Sequence, residues 1–428
     1  MSSSVVPNME TGIHPHRCSF CDSVNMSMIM DFGRVALAGA FLKPNLFKDE
    51  LKYQQRLYFC HSCLAVQIVD KIPADVLFTN YFYFSSSIKT LCAHFFDYAA
   101  EVTSRFLNPG SATVLEFGCN DGVLLRPLAD LGIRSVIGVD PAANVLATIN
   151  DPRITVVNDY FTESTANNIV SVHGKIDLIM ANNVYAHIPD IQGTTRAISL
   201  ALDDEGVFIC EVHYLGSVIN DMQYDMIYHE HLYYYSLLSA MRHFKRYDMV
   251  VFDVKLVPIH AGSIRLYVCK NGSKHSHSVS DSVYALESDE LARGFDNFDS
   301  FTLFANDVAL AKANLMSLLE RLRSEGKSIA GYGASGRANT IIQYCGIGPE
   351  HLDFIIDDAP FKIGYFTPGS NFPIRASSVL AESDAPDYVL IFAWSFFDEI
   401  VSKHQLYLAN GGSFIIPLPQ VSIFNSPN

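Results

Sequence analysis

Residues 114–122 read Val-Leu-Glu-Phe-Gly-Cys-Asn-Asp-Gly, an apolar run that ends in an acid and breaks into a loop with two glycines. A short apolar run is typical of a buried strand, and glycines after it let the backbone approach a ligand closely. The spacing is G-x-x-x-G, whereas a NAD site normally shows G-x-G-x-x-G. The strand-end acid and this loop favour S-adenosylmethionine, a cationic cofactor, over NAD.

Strand and helix patterns alternate after this loop, which predicts a parallel α/β sheet. Strands are expected at 112–117, 135–139, 154–157, 176–180 and 206–212, followed by an antiparallel pair at 250–258 and 263–269. Polar residues at strand ends meet at one edge of such a sheet, where ligands bind. Glu116 would face the amino-acid part of the cofactor, Asp140 its ribose, and Asp159 or Tyr160 its adenine. The candidate cofactor-binding residues are Glu116, Gly118, Asn120, Gly122, Asp140, Asp159, Asn182 and Asn183.

Two CxxC pairs lie near the N-terminus, Cys18-Ser-Phe-Cys21 and Cys60-His-Ser-Cys63. Each pair can place two thiolates on one tetrahedral ion, so the spacing predicts a structural Zn²⁺ site. Chance pairing and redox use are the alternatives. His61 is a further candidate ligand, although four cysteines already close the coordination shell.

Residues 228–231 read Tyr-His-Glu-His and group titratable side chains. Alkylation of a carbon next to a ketone needs a base near neutrality, a carboxylate that orients it and a donor for the developing oxyanion. The segment supplies all three residue types. A metal pair and an aromatic structural segment are the alternatives. His187, just after the fourth strand, is a further candidate at the same sheet edge.

A second α/β unit begins at Ser328 and contains Gly331, Gly333 and Gly336 in G-x-G-x-x-G spacing, with Asp357 about twenty residues later. The unit is either a dinucleotide or nucleotide-phosphate site or a tight strand–helix turn without cofactor. Arg337 and Asn339, on the helix that follows, are candidates for phosphate contact.

Bulk properties narrow the function classes. The 428 residues suffice for about two or three domains, and the net charge of −15 argues against a nucleic-acid partner. Neither a signal peptide nor an apolar run long enough for a bilayer is evident, so we expect a cytoplasmic protein without a membrane partner.

Together these residues resemble the three-domain, S-adenosylmethionine-dependent sugar C-methyltransferases, which act on TDP-linked 4-keto-deoxysugars. The resemblance covers nearly the whole chain. Its marks are the two CxxC pairs, residues 115–122, Ile227-Tyr-His-Glu-His231, His260-Ala-Gly-Ser263, Gly331-Tyr-Gly-Ala334, Asn339-Thr340, Asp357-Asp358 and Thr367-Pro-Gly369.

The resemblance implies a zinc-binding domain (1–73), a Rossmann-like methyltransferase domain (74–270) and a second Rossmann-like domain without NAD that binds the nucleotide-sugar (271–428). It implies that His231 is the base and that Tyr228, Glu230, His187 and a tyrosine of the pair Tyr81/Tyr83 line its pocket. Matching substrate-binding residues are His260, Ser263, Gly333, Arg337, Asn339, Thr340 and Asp358. The family usually shows Ala-Pro-Ala-Lys-Gly where this chain has residues 334–338, and His-Gly-Gly where it has residues 260–262.

We therefore expect methylation of a carbon α to a keto group, with a nucleotide-linked 4-keto-deoxysugar as acceptor. An S-adenosylmethionine enzyme acting on oxygen or on a non-sugar keto compound is the first alternative. An NAD-dependent oxidoreductase and a non-catalytic zinc and nucleotide-sugar binding protein are the others.

Overall fold

The computed structural model describes residues 16–73, 77 and 84–425. Within these residues the strands build three sheets. The strands are β1 (Met26–Ala36), β2 (Lys52–Cys60), β3 (Val66–Ile68), β4 (Thr113–Phe117), β5 (Ser135–Val139), β6 (Ile154–Val157), β7 (Ile176–Asn182), β8 (Leu202–His213), β9 (Tyr233–Tyr234), β10 (Met249–Val257), β11 (Ser263–Lys270), β12 (Ile329–Tyr332), β13 (Ile355–Asp357), β14 (Ile374–Ala376), β15 (Tyr388–Ile391), β16 (Ser413–Ile416) and β17 (Ser422–Phe424).

The α-helices fill the connections between the strands. They are α1 (Lys89–Phe106), α2 (Leu125–Asp130), α3 (Ala143–Leu146), α4 (Glu163–His173), α5 (Ile191–Ala201), α6 (Leu215–Asn220), α7 (Leu237–Lys245), α8 (Asp281–Ala292), α9 (Phe298–Ser324), α10 (Gly336–Cys345), α11 (Phe397–Lys403) and α12 (Gln405–Ala409). No helix in the described ranges is long and apolar enough to cross a bilayer.

The middle sheet has seven strands in the order β10-β11-β8-β7-β4-β5-β6. Neighbours from β8 to β6 run parallel, and β10 and β11 are antiparallel additions at one edge. Every residue of β4 is buried, as expected for a strand with helices on both sides of its sheet. The predicted parallel α/β architecture with a closing antiparallel pair is confirmed. The fourth strand continues to Asn182, two residues beyond its predicted end.

The C-terminal sheet, in the order β14-β13-β12-β15-β16-β17, is parallel except for its last strand. It forms the predicted second α/β unit. The long helix α9 presents an apolar stripe to the core from its first turns, since Phe301 and Phe304 are buried.

The fourth strand of the N-terminal sheet, β9, comes from the middle of the chain. The order of this sheet is β1-β2-β3-β9, and β9 pairs with β3 through Val66 and Tyr234. One hydrophobic cluster contains side chains of β1–β3, of residues 215–238 and of the C-terminal sheet. The segment 215–238 therefore packs between the N-terminal and C-terminal sheets, although it follows β8 in the chain.

Candidate active site and metal centre

Four cysteines form a compact centre at the tip of the N-terminal sheet. Their Sγ atoms lie within 4.8 Å of one another, and none forms a disulfide. Asp22 and Leu64, each directly after a CxxC pair, share the left-handed backbone conformation, with φ of 61° and 65°. Two matching turns thus present four thiols to one point, which fits a tetrahedral Zn²⁺. The four residues are Cys18, Cys21, Cys60 and Cys63.

The surroundings of this centre fix its geometry. The Gln67 side-chain amide donates to Cys18 Sγ at 3.0 Å, and its Oε1 accepts from the Ser19 backbone N–H at 2.8 Å. His61 is not part of the thiol cluster, because its Nε2 lies 2.8 Å from Ser27 Oγ. The residues present fit a closed zinc site without a position for a substrate.

Glu116, the acid at the end of β4, is buried, and only one of its two carboxylate oxygens has a hydrogen-bond partner among the described residues. Glu116 Oε1 accepts from Asn182 Nδ2 at 2.9 Å. Burial raises the pKa of Glu116 from 4.5 to about 8. Glu116 Oε2 and Asn182 Oδ1 are buried acceptors without a hydrogen-bond partner among the described residues. Unpaired buried acceptors at a ligand-binding sheet edge fit the cationic groups of S-adenosylmethionine.

The loop after β4 is held in conformations that favour glycine. Gly118, Asn120 and Gly122 have φ of 66°, 49° and 76°. A Cβ on Gly118 would lie 2.5 Å from Val184, so no larger residue fits there. Asp140 accepts from the backbone N–H groups of Asn120 at 3.0 Å and Ala142 at 2.9 Å. Asp140 therefore holds the loop, and its burial raises its pKa.

Two further predicted cofactor residues differ in setting. Asp159 is exposed, and its Oδ2 accepts from Thr165 Oγ1 at 2.8 Å. Asn183 follows β7 with φ of 54° and donates its backbone N–H to the Glu211 carbonyl at 2.8 Å. Asn183 thereby begins the loop that carries His187.

His231 forms a partly buried hydrogen-bonded pair with Tyr228. Its Nδ1 is 2.9 Å from the Met226 carbonyl oxygen, and its Nε2 is 2.9 Å from Tyr228 Oη. A carbonyl only accepts, so Nδ1 carries the hydrogen and Nε2 presents a lone pair. Burial, and after it the neighbouring His187, holds the pKa of His231 well below its usual range. His231 is therefore neutral, with its acceptor nitrogen toward the phenol.

His187 joins this pair from the other side. Its ring centroid is 4.9 Å from that of His231, in an edge-to-face arrangement. Burial lowers the pKa of His187 to about 4, against opposing hydrogen bonds to the carbonyls of Glu230 and Asn183. A backbone hydrogen bond from Leu232 to Ala186, 2.9 Å long, ties the two segments together. The structure thus brings the predicted His187 and His231 into one pocket.

The other members of the segment divide between two environments. Burial raises the pKa of Glu230 to about 7, so this carboxyl is near its midpoint at neutral pH. His229 Nε2 lies 3.0 Å from the Gln54 carbonyl, on the side of the N-terminal sheet. His229 therefore anchors the segment and points away from His231. Tyr81 and Tyr83 lie outside the described residues.

Both outer domains hold this segment in place. The Ile227 carbonyl accepts from Gln55 Nε2 at 2.8 Å and from Thr340 Oγ1 at 3.2 Å. Asp225, fully buried, accepts from Arg337 Nε at 2.7 Å and Nη2 at 3.2 Å. The Trp394 indole donates to the same carboxylate at 2.9 Å. Arg337 and Thr340, predicted as substrate-binding residues, thus contact the segment that carries His231.

Asn339 and Asp358 also have partners within the protein. Asn339 Nδ2 donates to the Ala36 carbonyl at 3.0 Å, which docks α10 on β1. Asp358 accepts from Tyr332 Oη at 2.6 Å and pairs with Lys403. Burial opposes ionisation of Asp358, yet Lys403 and two hydroxyls lower its pKa to about 2. The predicted contacts of both residues with substrate stay predictions.

The G-x-G-x-x-G match has a structural explanation that involves no dinucleotide. Gly333 has φ of 99° at the turn after β12. A Cβ on Gly336 would lie 3.2 Å from Tyr228 Cζ, so the glycine makes room for the phenol. Asp357 accepts from the Ala334 backbone N–H at 2.8 Å and from Lys362 Nζ at 3.0 Å. Asp357 therefore holds this turn as Asp140 holds the loop after β4, and it differs from Asp140 in its ion pair with Lys362.

The sequence analysis missed His213, the last residue of β8. Both of its ring nitrogens are buried without a hydrogen-bond partner among the described residues. His213 lies opposite Ser263 across the antiparallel pair β8–β11. His260, in the turn before Ser263, has φ of 52°. The sequence signal that could have identified His213 was a titratable side chain at the end of a buried strand, two positions after Glu211.

Comparisons with known proteins find matches to three successive parts of the chain. Residues 18–78 match a family described as "Putative zinc binding domain", residues 91–253 one described as "Methyltransferase domain", and residues 258–419 one described as "C-methyltransferase C-terminal domain". C-methyltransferase NovU of Streptomyces niveus is 30% identical over 415 residues, which cover 96% of this chain and 97% of that protein.

More distant relatives match only part of the chain. A ubiquinone biosynthesis O-methyltransferase of Methylobacterium sp. (strain 4-46) is 35% identical over 98 residues, 22% of this chain and 39% of that protein. The magnesium protoporphyrin IX methyltransferase structure from Synechocystis PCC 6803 is 13% identical and covers 42% of this chain and 83% of its own, with a TM-score of 0.34. Since the full-length match joins the zinc, methyl-donor and C-terminal domains in one order, the chain belongs to the three-domain, S-adenosylmethionine-dependent sugar C-methyltransferase family.

Proposed function

We propose that this methyltransferase methylates a carbon α to a keto group on a nucleotide-linked 4-keto-deoxysugar, with His231 as the base. The observation that carries the proposal is the neutral His231–Tyr228 pair beside His187. An acidic C–H next to a ketone is the kind of proton that such a neutral imidazole removes. An O-methyltransferase acting on an ionisable hydroxyl has less need of this arrangement.

His231 is built to accept a proton at one atom. Its Nδ1–H is committed to the Met226 carbonyl, so the ring orientation and the tautomer are fixed. The α-proton reaches Nε2 directly when the bound acceptor displaces the phenol, or through the Tyr228 hydroxyl, which passes its own proton to Nε2. The His231 imidazolium then forms beside the negative charge on the acceptor oxygen. In the free protein, burial holds the pKa of His231 down, and attraction to this negative charge offsets that effect.

The donor side uses the edge of the same sheet. Bound S-adenosylmethionine supplies an electrophilic methyl group on a sulfonium. Glu116 and Asn182 would hold its amino-acid part, and Asp140 would position its ribose. The loop from Asn183 to His187 connects this edge to the base, so donor and acceptor meet within a short distance.

The acceptor side is proposed to involve the C-terminal domain. Arg337 stacks on Trp394, with Cζ 4.5 Å from the ring centroid, at the start of α10. A cation and an aromatic face near a helix N-terminus suit a phosphate-bearing nucleotide. Tyr228 packs on Gly336 of the same helix, so the base pair and the proposed nucleotide site share an element.

His231→Ala tests the base. We expect a loss of about 10²–10⁴-fold in turnover with retained donor binding, the usual contribution of a general base. In deuterated water, wild-type enzyme should exchange the α-hydrogen of a 4-keto nucleotide-sugar or lose it on methylation. His229→Gln is the matched control: it changes an imidazole two residues away that bonds to Gln54 and keeps a donor there.

Two outcomes would overturn the proposal. If His229→Gln loses as much turnover as His231→Ala, the segment acts through its fold and His231 is not the base. If NMR of the product places the new methyl group on oxygen, the reaction is O-methylation. Tyr228→Phe separates the two proton routes, because only the relayed route requires the phenol hydroxyl.

A further inference from the structure

His213 has two buried hydrogen-bonding atoms that the described part of the protein does not satisfy. Buried polar side-chain atoms nearly always have partners, and those without one at an enzyme site point to a ligand. Gln223 Oε1 is likewise buried with no partner at full hydrogen-bond geometry among the described residues, and a weak contact of this side chain raises the pKa of His213 against the effect of burial. The unsatisfied atoms thus form a small group at one place in the fold.

The backbone places this group near the proposed base. Tyr214, directly after His213, forms a β-bridge with Tyr235, four residues after His231, and the Leu215 N–H donates to the Tyr235 carbonyl at 2.9 Å. In agreement, His213 and His260 both contribute to the low pKa of His231. Burial, followed by Arg337 and His260, lowers the pKa of His213 to about 3. His213 is therefore a neutral imidazole at neutral pH and carries one N–H donor.

The other donors of the pocket already have acceptors. The Tyr228 hydroxyl donates to His231 Nε2, since that nitrogen presents a lone pair. The single N–H of the neutral His187 has the carbonyls of Glu230 and Asn183 as acceptors. Neither is free to stabilise an oxyanion without breaking a bond within the protein. The His213 N–H has only the weak contact with the Gln223 side chain to give up.

We propose that His213 contacts the acceptor and donates a hydrogen bond to its keto oxygen. The inference rests on the proposed function. When His231 takes the α-proton, the C–H electron pair moves into the new carbon–carbon double bond and the carbonyl oxygen becomes negatively charged. His213 keeps its own proton and stabilises that charge, which is the work of an oxyanion-hole donor.

The test compares His213→Phe with His213→Gln. The first keeps a planar ring and removes the donor, and the second keeps an N–H. His213→Phe should lower kcat and kcat/KM together by about 10²–10³-fold, the usual effect of losing one such donor. His213→Gln should recover part of this loss. Donor affinity, measured by calorimetry, should stay at the wild-type value in both.

Thermal stability separates this role from a structural one. Because neither ring nitrogen is bonded within the described residues, His213→Phe should leave Tm unchanged or raise it. His243→Phe is the contrasting control: His243 Nε2 lies 2.7 Å from Thr195 Oγ1, so this variant should lower Tm and keep kcat. A fall in Tm with unchanged kcat in His213→Phe would show that His213 is structural and overturn the inference.

The failure of the inference is distinct from that of the proposed function. If wild-type enzyme methylates carbon and His213→Phe does so at the same rate, the inference is wrong and the proposed function stands. If wild-type enzyme places the methyl group on oxygen, or leaves the α-hydrogen in place, both are wrong.

Discussion

Ionisation of Glu116 should couple methyl-donor binding to proton release. Burial raises the pKa of Glu116 to about 8 in the protein without ligand. Its Oε2 has no partner among the described residues and would meet a cationic group of the donor. A cation stabilises the carboxylate form, so the bound state should hold Glu116 deprotonated well below pH 8. Donor affinity should therefore change with pH, and Glu116→Gln should remove this dependence.

The magnitude follows from the raised pKa. At pH 7 about nine in ten molecules without donor carry a protonated Glu116, and ionising the group costs about 1.4 kcal/mol. Donor affinity should therefore rise about tenfold between pH 6 and pH 7 and level off above pH 8. Binding at pH 7 should release about 0.9 proton.

Isothermal titration calorimetry in phosphate and in Tris measures this proton directly, because the two buffers differ in ionisation enthalpy. Glu116→Gln should bind more weakly and show neither proton release nor pH dependence. Asp307→Asn is the matched control, since Asp307 is an exposed acid on α9 that is not among the candidate cofactor-binding residues, and this variant should bind donor with the wild-type proton release. A wild-type donor affinity that is flat from pH 6 to pH 9, or net proton uptake on binding, would show that Glu116 does not couple donor binding to proton release.

The raised pKa of Glu116 also predicts how the folding stability of the protein without donor changes with pH. The folded protein binds the Glu116 proton more tightly than the unfolded chain, because its pKa is raised above the ordinary 4.5. The stabilisation is complete below pH 4.5 and is lost as pH rises through about 8. Glu116→Gln should therefore have a higher Tm than wild type above pH 8 in the absence of donor.

Three further predictions concern the metal, the donor loop and the domain contacts. Cys60→Ser/Cys63→Ser should lose bound zinc, measured by elemental analysis, and lower Tm, because a closed four-cysteine site contributes to folding. Asp140→Ala should weaken donor binding in calorimetry by about 1–3 kcal/mol, since two backbone N–H groups lose their acceptor. Arg337→Met should lower the free energy of unfolding in urea by about 3–5 kcal/mol, because the buried Asp225 carboxylate loses its cation; adding Asp225→Asn should recover much of it.

The fold of the middle domain could be predicted because its local signals agree. The apolar runs of β4 and β5 end in Phe117-Gly118 and Val139-Asp140, and polar residues at parallel strand ends must gather at one edge. His187 could be predicted at the same edge of the sheet because it lies shortly after β7 in the chain. His231 could be singled out because an imidazole, a carboxylate and a phenol stand together in its segment.

Other parts of the site depend on contacts distant in sequence. Asn339 and Thr340 use their side chains to dock α10 on Ala36 and Ile227, partners more than a hundred positions away. No local pattern marks such a pair. His213 escaped notice for a different reason: a single histidine that ends a strand is usually structural, and only its unsatisfied nitrogens set it apart.

The pairing of β3 with β9 should link zinc binding to acceptor binding thermodynamically. β3 begins three residues after Cys63, and β9 begins two residues after His231. Although the zinc ion contacts no substrate, it should therefore alter the rate of methylation through the position of His231. Removal of zinc by a chelator should then lower activity as it does in an enzyme with a catalytic metal. Linkage is reciprocal, so saturation with acceptor should slow zinc loss to a chelator. An inactivation assay alone would misclassify the ion as catalytic, whereas its effect is allosteric.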